Sequence, residues 1–195
     1  MTQLGGYNRN VRDLLAYAGA SDPASPDTYF RRSMPRVGLY DSAGDTGQTA
    51  LTTQVMTSVP IYLHAGDVVT NIAVRSGATA ADTPTNYWFA LYSNAATPAL
   101  LGQTADQTTT AWAANTTKNL ALATPKTITE SGIYWVGIMV KATATPTLLG
   151  CAAAPAIVTG ERNLSQSSGS SLTTTAPATI ATPTAKTFAP YVVIT

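Results

Sequence analysis

The alternation of side chains between Leu51 and Leu63 is almost unbroken. A period of two is expected when successive side chains point to opposite faces of a β-strand. One face of this run holds Leu51, Thr53, Val55, Thr57, Val59, Ile61 and Leu63. The pattern predicts one long strand with one face on a core and the other nearer to solvent.

Similar runs recur from there to the C-terminus. The other predicted strands are Val37–Tyr40, Val68–Arg75, Asn86–Ser93, Leu100–Thr104, Lys118–Leu122, Ile133–Ala142 and Tyr191–Ile194. Helical patterns do not alternate with these strands, so the sequence gives no sign of a parallel sheet. The prediction is an all-β fold, a single antiparallel β-sandwich similar to a jelly roll, over residues 37–195.

Two parts of this domain are less clearly specified by the pattern. The run from Ile133 to Val140 is apolar on both faces, so it is either a central strand covered on both sides or a strand at a subunit interface. Residues 152–187 are rich in alanine, threonine, serine and proline and have little periodicity. They predict long loops, with one weak strand near Ile157.

Residues 1–36 have a different pattern, in which apolar residues recur at the spacing of a short helix. The apolar face of this predicted helix consists of Val11, Leu14, Leu15 and Ala18. A helix this short is only marginally stable by itself in water. We therefore expect its apolar face to dock on another surface. A proline-containing connector then leads to an aromatic and basic group, Tyr29, Phe30, Arg31 and Arg32. We interpret residues 1–36 as an arm that anchors the chain to neighbouring subunits.

The amino-acid composition limits the classes of binding partner that we expect for this chain. Charged residues make up 11% of the chain, against roughly a quarter in an average globular protein. A net charge of +1 gives no reason to expect nucleic-acid binding, and no apolar run is long enough for membrane insertion. Arginine is concentrated in residues 1–36, so the arm is either solvated or docked on an acidic neighbour. The single cysteine, Cys151, has apolar neighbours and is predicted to be a buried structural thiol.

Candidate catalytic motifs are few, and each has a simpler interpretation. Asp45-Thr46-Gly47 matches the active-site triplet of aspartic proteases, but no apolar strand leads into it, so we interpret it as a turn. The only histidine, His64, lacks both a serine elbow and further zinc ligands. Nothing marks the two glutamates, Glu130 and Glu161, as a catalytic pair. The sequence therefore predicts no catalytic residue, no metal site and no cofactor.

The tryptophans differ in their surroundings. Trp88 and Trp135 lie within predicted strands, so we expect both in the core. Trp112 lies among loop-like neighbours, where an exposed ring could stack on a sugar. Trp112 is therefore the candidate glycan contact.

Three segments of the chain resemble sandwich domains of tailed-bacteriophage virion proteins, most nearly those of phages that infect actinobacteria. They are Ala65–Ile72, Asn86–Ser93 and Gly132–Ile138. The resemblance covers roughly Leu51 to Lys141, and its motifs are structural. It implies a protein attached to the capsid or tail, with an N-terminal anchoring arm and an outward sandwich.

On this basis we expect a non-enzymatic virion structural protein of the minor-tail or fibre class, made in the host cytoplasm. The expected partners are other virion proteins and further copies of the chain, with a trimer as the favoured homo-oligomer. One alternative is a capsid decoration (head fibre) protein. The other is a carbohydrate-binding module that contacts host surface glycan during attachment.

Overall fold

The computed structural model describes residues 49–154, 156, 157 and 159–195. The predicted arm and the predicted strand Val37–Tyr40 lie outside these residues, so both stay predictions. Within the described residues the regular secondary structure is entirely β, and no helix occurs there. The strands pair antiparallel in every described sheet. The all-β, antiparallel prediction is confirmed for this part of the chain.

The described residues form thirteen strands, and several are only two or three residues long. They are β1 (Thr49–Ala50), β2 (Met56–Leu63), β3 (Val68–Arg75), β4 (Asn86–Tyr92), β5 (Leu100–Gln103), β6 (Thr117–Thr127), β7 (Gly132–Lys141), β8 (Thr147–Leu148), β9 (Gly150–Ala152), β10 (Gln166–Ser168), β11 (Thr184–Ala185), β12 (Phe188–Pro190) and β13 (Val192–Ile194). β3 has the bounds that the sequence predicted. β6 is longer than predicted and continues to Thr127.

Six strands form the larger sheet, in the order β11-β10-β2-β7-β4-β5. Val136 of β7 lies opposite Val59 of β2 on one side and opposite Leu91 of β4 on the other. Every residue of β7 from Tyr134 to Val140 is buried. The apolar run that the sequence left open is therefore a central strand, covered on both faces by residues of its own chain.

The smaller sheet has the order β13-β3-β6. Its buried side chains join those of the larger sheet in one hydrophobic cluster, which we call the main core. Members of the main core from the two sheets include Val59, Phe89, Leu91, Val136, Ile138, Val69, Ile72, Leu122, Val192 and Ile194. An isolated bridge between Thr104 and Leu122 connects the β5 end of the larger sheet to β6. The two sheets are therefore held together by one continuous core.

The opposite face of the larger sheet carries a second hydrophobic cluster, which we call the outer cluster. Its sheet residues are Met56, Trp88, Ala90, Tyr92, Trp135 and Met139. Residues 172–180, the covering segment, lie over this face and contribute Ala176 and Ile180. β4 can be aromatic on both faces because the main core covers one face and the covering segment covers the other. The prediction that Trp88 and Trp135 are core residues is confirmed.

The long alternating run predicted from Leu51 is only partly a strand. β2 begins at Met56, because residues 53 and 54 form a turn in which Gln54 has a φ of 60°. The backbone N–H of Gln54 donates a 2.9 Å hydrogen bond to the carbonyl of Val140. The alternation of residue types does not reveal that Gln54 adopts a left-handed backbone conformation. The strand predicted from the sequence is therefore too long.

The C-terminal third contains more pairing than its composition predicts. β10 pairs with β2, with Gln166 opposite Ser58, and so extends the larger sheet. The weak strand expected near Ile157 is wrong at that residue, which lies in a bend and is 87% exposed. Cys151, in β9, is half-buried rather than fully buried, and burial raises the pKa of its thiol.

Candidate functional site

The residues predicted to anchor the chain lie outside the described residues. They are Val11, Leu14, Leu15, Ala18, Tyr29, Phe30, Arg31 and Arg32. Their role in binding a neighbouring subunit stays a prediction. The Asp45-Thr46-Gly47 triplet also lies outside the described residues.

Trp112, the candidate glycan contact, is 0% exposed and belongs to the main core. Its ring centroid lies 5.3 Å from that of Tyr87 and 5.8 Å from that of Phe89. Its indole Nε1 donates a 3.3 Å hydrogen bond to the backbone carbonyl of Thr116. The prediction of an exposed ring is therefore wrong, since the loop turns this one side chain inward while Ala111 beside it stays exposed. Neither face of the indole is open to a sugar.

A cleft of about 460 Å³ opens beside the covering segment, on the outer side of the larger sheet. Three stretches of chain form its walls: residues 95–98 between β4 and β5, residues 160–163 before β10, and residues 180–183 before β11. The sheet itself contributes Trp135 and Gln166. We call this cleft the outer-face cleft.

Three polar side chains of the outer-face cleft are positioned by contacts, two of them with each other and the third with an aromatic ring. The Nδ2 of Asn163 donates a 3.1 Å hydrogen bond to the Oε1 of Gln166, whose backbone is fixed by the pairing of β10 with β2. The guanidinium carbon of Arg162 lies 6.0 Å from the ring centroid of Trp135, within the range of a cation–π contact. These groups therefore form a small set of hydrogen-bonding partners with restricted orientations.

The rest of the outer-face cleft combines one negative charge with an apolar wall. The carboxylate of Glu161 accepts a 2.8 Å hydrogen bond from the backbone N–H of Ile157. The apolar wall consists of the exposed residues Ala95, Ala96, Ala181 and Pro183, together with Pro98 and Ile180, which are buried. Glu161 is adjacent in sequence to Arg162, so the two formal charges at the cleft are of opposite sign.

A second surface feature lies at the end of the domain near the turn between β2 and β3. Tyr62 and Ile133 are 47% and 39% exposed, and we call these two residues the end patch. Tyr62 lies directly opposite Ile133 in the pairing of β2 with β7. Val68, which is 43% exposed, begins β3 in the smaller sheet and is not part of the patch. The His64 ring stands edge-on to the Tyr62 ring at 4.9 Å. The turn is closed by the Asp67 carboxylate, which accepts a 2.8 Å hydrogen bond from the N–H of His64.

The structure also places the acidic and histidine residues that the sequence raised. His64 lies exposed at the end of β2, and Glu130 and Glu161 are both exposed. Within the described residues, no three His, Cys, Asp or Glu side chains are grouped so that they could hold a metal ion. The described part of the chain contains no helix with the length and apolarity to cross a membrane.

Sequence reasoning missed the outer-face cleft, because its residues come from a stretch predicted to be featureless loops. The only local signal is the group of larger polar residues at 161–166, within a stretch otherwise rich in small side chains. Trp135 was assigned to the core correctly, but its edge also lines the cleft. Only the pairing of β10 with β2 brings these residues beside Trp135.

Comparison of the chain with protein-family models and with curated proteins gives no match. The described residues present two surface features that bear on function, the end patch and the outer-face cleft.

Proposed function

We propose that the chain is a non-enzymatic structural protein of a tailed-phage virion, of the minor-tail or fibre class. Residues 1–36 anchor it to neighbouring virion subunits, and the β domain faces outward. The observation that supports an assembly role is the end patch, where Tyr62 and Ile133 lie exposed opposite each other on neighbouring strands β2 and β7. Grouped apolar side chains on a surface favour contact with another protein, because their burial releases ordered water.

We further propose that the two main sheets pack face to face as a jelly-roll-like β-sandwich. The main core supports this arrangement, because it takes side chains from β2, β4 and β7 of the larger sheet and from β3, β6 and β13 of the smaller one. A sandwich with a fully occupied interior would leave its ends and loops available for contacts.

The proposed partners are other virion proteins and identical copies of the chain, with a trimer as the favoured homo-oligomer. In a symmetric trimer each copy offers the same surface, so an end patch placed at the three-fold axis contacts both neighbours. Many identical copies on a particle also make many weak contacts at once. Each arm can therefore bind weakly while the assembled protein stays attached to the particle.

The alternative position is on the capsid, as a decoration protein. An anchoring arm and an outward β domain serve both positions equally. Mapping the chain on intact particles by electron microscopy decides between them. Density at the capsid surface would replace the minor-tail assignment with the decoration one.

The anchoring role is tested by a matched pair of substitutions in the predicted helix. Leu14→Asp puts a charge on the apolar face, whereas Ala16→Asp puts the same charge two residues away, on the opposite face of a helix. Virions produced with Leu14→Asp should lack the chain, and virions produced with Ala16→Asp should retain it. Immunoblotting of purified particles measures both. Equal incorporation of the two variants would contradict the anchoring role.

A further inference from the structure

The outer-face cleft has the dimensions of a small-molecule site. Its volume of about 460 Å³ falls within the roughly 300–1,000 Å³ typical of clefts that hold small ligands. Such sites combine an apolar lining with a few polar groups in fixed positions. The cleft has this composition, since its lining combines alanine, proline and isoleucine with amide, guanidinium and carboxylate groups.

The hydrogen-bonding groups of the cleft are both donors and acceptors. The bond from Asn163 Nδ2 to Gln166 Oε1 leaves the Oδ1 of Asn163 as an acceptor and the Nε2 of Gln166 as a donor. Arg162 adds further donors, and Glu161 adds further acceptors. A hydroxyl group donates one hydrogen bond and accepts others, so a ligand with several hydroxyls matches this mixture.

The charges of the cleft disfavour an ionic ligand. Arg162 and Glu161 carry opposite charges at neighbouring positions, so the cleft has no excess of either sign. Arg162 is also engaged with the Trp135 ring. An anionic ligand at Arg162 would also experience the negative charge of Glu161, and a cationic ligand at Glu161 would experience the positive charge of Arg162.

We propose that the outer-face cleft binds a neutral saccharide. The Asn163 amide and the Arg162 guanidinium hydrogen-bond to sugar hydroxyls, while the exposed part of the apolar wall, Ala95, Ala96, Ala181 and Pro183, packs against the C–H face of the ring. Because the Arg162 guanidinium lies over the Trp135 ring, the contact depends on the aliphatic wall and not on stacking against the indole. This activity goes beyond the assembly role and does not depend on it, because it belongs to the β domain.

The test uses the purified full-length chain and a panel of neutral sugars: glucose, galactose, N-acetylglucosamine, maltose and cellobiose. Saturation-transfer NMR detects binding, and titration gives the dissociation constant. An open cleft of this kind predicts weak binding, with a dissociation constant on the order of 1 mM. Glucuronate and inorganic phosphate are the charged probes. Binding of a charged probe with no binding of any neutral sugar would overturn the proposal, as would a panel in which nothing binds.

A substitution that fills the outer-face cleft tests whether the sugar binds there. Ala181→Trp places a large ring at its exposed rim, and Ala123→Trp places the same ring on the exposed face of β6, away from the cleft. We expect Ala181→Trp to weaken sugar binding by about tenfold or more and Ala123→Trp to leave it within about twofold. Unchanged binding by a folded Ala181→Trp variant would overturn the assignment to this cleft.

A second pair of variants removes hydrogen-bonding capacity without adding bulk. Asn163→Leu replaces the amide in the cleft with an apolar side chain of similar size, and Asn119→Leu makes the same change on exposed β6. Asn163→Leu should weaken binding by about tenfold, and Asn119→Leu should not. Thermal unfolding curves confirm that each variant is folded. Equal affinities for the two variants would overturn the role given to Asn163.

Discussion

The indole Nε1 of Trp88 donates a 2.7 Å hydrogen bond to the backbone carbonyl of Thr173, 85 residues later in the chain. The hydroxyl of Tyr92, on the same face of β4, makes the corresponding bond of 2.9 Å to the carbonyl of Pro177. The two aromatic side chains thus bury their rings under the covering segment and hold its backbone with their polar ends. This relationship closes the outer face of the larger sheet, and Ile180 at the end of the covering segment also lines the outer-face cleft.

Tyr92→Phe should lower the free energy of unfolding by about 1 kcal/mol, because it removes one intramolecular hydrogen bond and leaves the ring in place. Urea unfolding measures the change. Tyr62→Phe is the control, since the Tyr62 side chain is half exposed and its change should stay within about 0.5 kcal/mol. If the two substitutions cost the same, the bond to Pro177 does not stabilise the covering segment.

The same tyrosine predicts a loss of stability at high pH. Burial raises the pKa of the Tyr92 hydroxyl above its ordinary value of about 10. As the pH rises above about 10, the tyrosine of the unfolded chain ionises while the folded one stays protonated, so the folded state loses stability. The contribution of the Tyr92 hydroxyl to the free energy of unfolding is therefore complete below about pH 9 and declines above about pH 10.

The measurement is the free energy of unfolding of the wild type and of Tyr92→Phe at about pH 8, 9.5 and 10.5. The difference between the two proteins should shrink as the pH rises. Burial raises the pKa of the Cys151 thiol as well, and because that group is present in both proteins its contribution cancels. A difference that stays constant with pH would show that Tyr92 ionises equally in both states.

Trp112→Ala should lower the free energy of unfolding by about 3–5 kcal/mol, because it leaves a large cavity in the main core. Tyr62→Ala, which removes a half-exposed ring, is the comparison and should cost far less. Denaturant unfolding of both variants gives the two values. A near-neutral Trp112→Ala would mean that the ring lies at the surface, as the sequence first indicated.

Gly150→Ala should be strongly destabilising, since a Cβ there would overlap the backbone carbonyl oxygen of Ala189 in the paired strand β12. The overlap is with backbone, so it can be relieved only by moving β12. We expect a loss of at least about 1–3 kcal/mol. Gly102→Ala is the control, because its Cβ would lie at an ordinary 3.7 Å from the Leu122 side chain. Equal melting temperatures for the two variants would contradict the tight approach of β9 and β12.

The end patch predicts the effect of polar substitutions on self-association. Tyr62→Ser combined with Ile133→Thr removes apolar area from the surface, so the oligomer should dissociate at a higher protein concentration. Sedimentation velocity measures the mass across a dilution series. Ile157→Thr is the control, because this isoleucine is more exposed than any member of the patch but lies outside it. A mass that is unaffected by the double substitution would exclude the end patch as the contact.

Some elements could be predicted because their signal is local. β3 matched its predicted bounds, and β4 showed the predicted alternation of Tyr87, Phe89 and Leu91 against Trp88, Ala90 and Tyr92. In both strands the period of two directly reports which side chains share a face. For a loop residue, no such local signal indicates whether its side chain is buried or exposed. This is why Trp112 was wrongly predicted to be exposed.

The outer-face cleft could not be predicted, because it exists only where distant segments meet. Arg162 and Gln166 reach Trp135 through the pairing of β10 with β2 and of β2 with β7. β10 is three residues long and contains only glutamine and serine, so neither its length nor its composition indicates a strand. Short strands of this kind are stabilised by the neighbour that they pair with, not by their own sequence.

By itself the sequence determined that the described part of this protein is a set of antiparallel strands, because alternation and turn residues act over a few neighbouring positions. Only the tertiary structure decided what covers each face of the larger sheet: the main core, to which the smaller sheet contributes, on one side and residues 172–180 on the other. The physical reason is that burial depends on partners far away in the chain, such as Thr173 for Trp88. An apolar side chain specifies that it will be covered, but it does not specify by which residues.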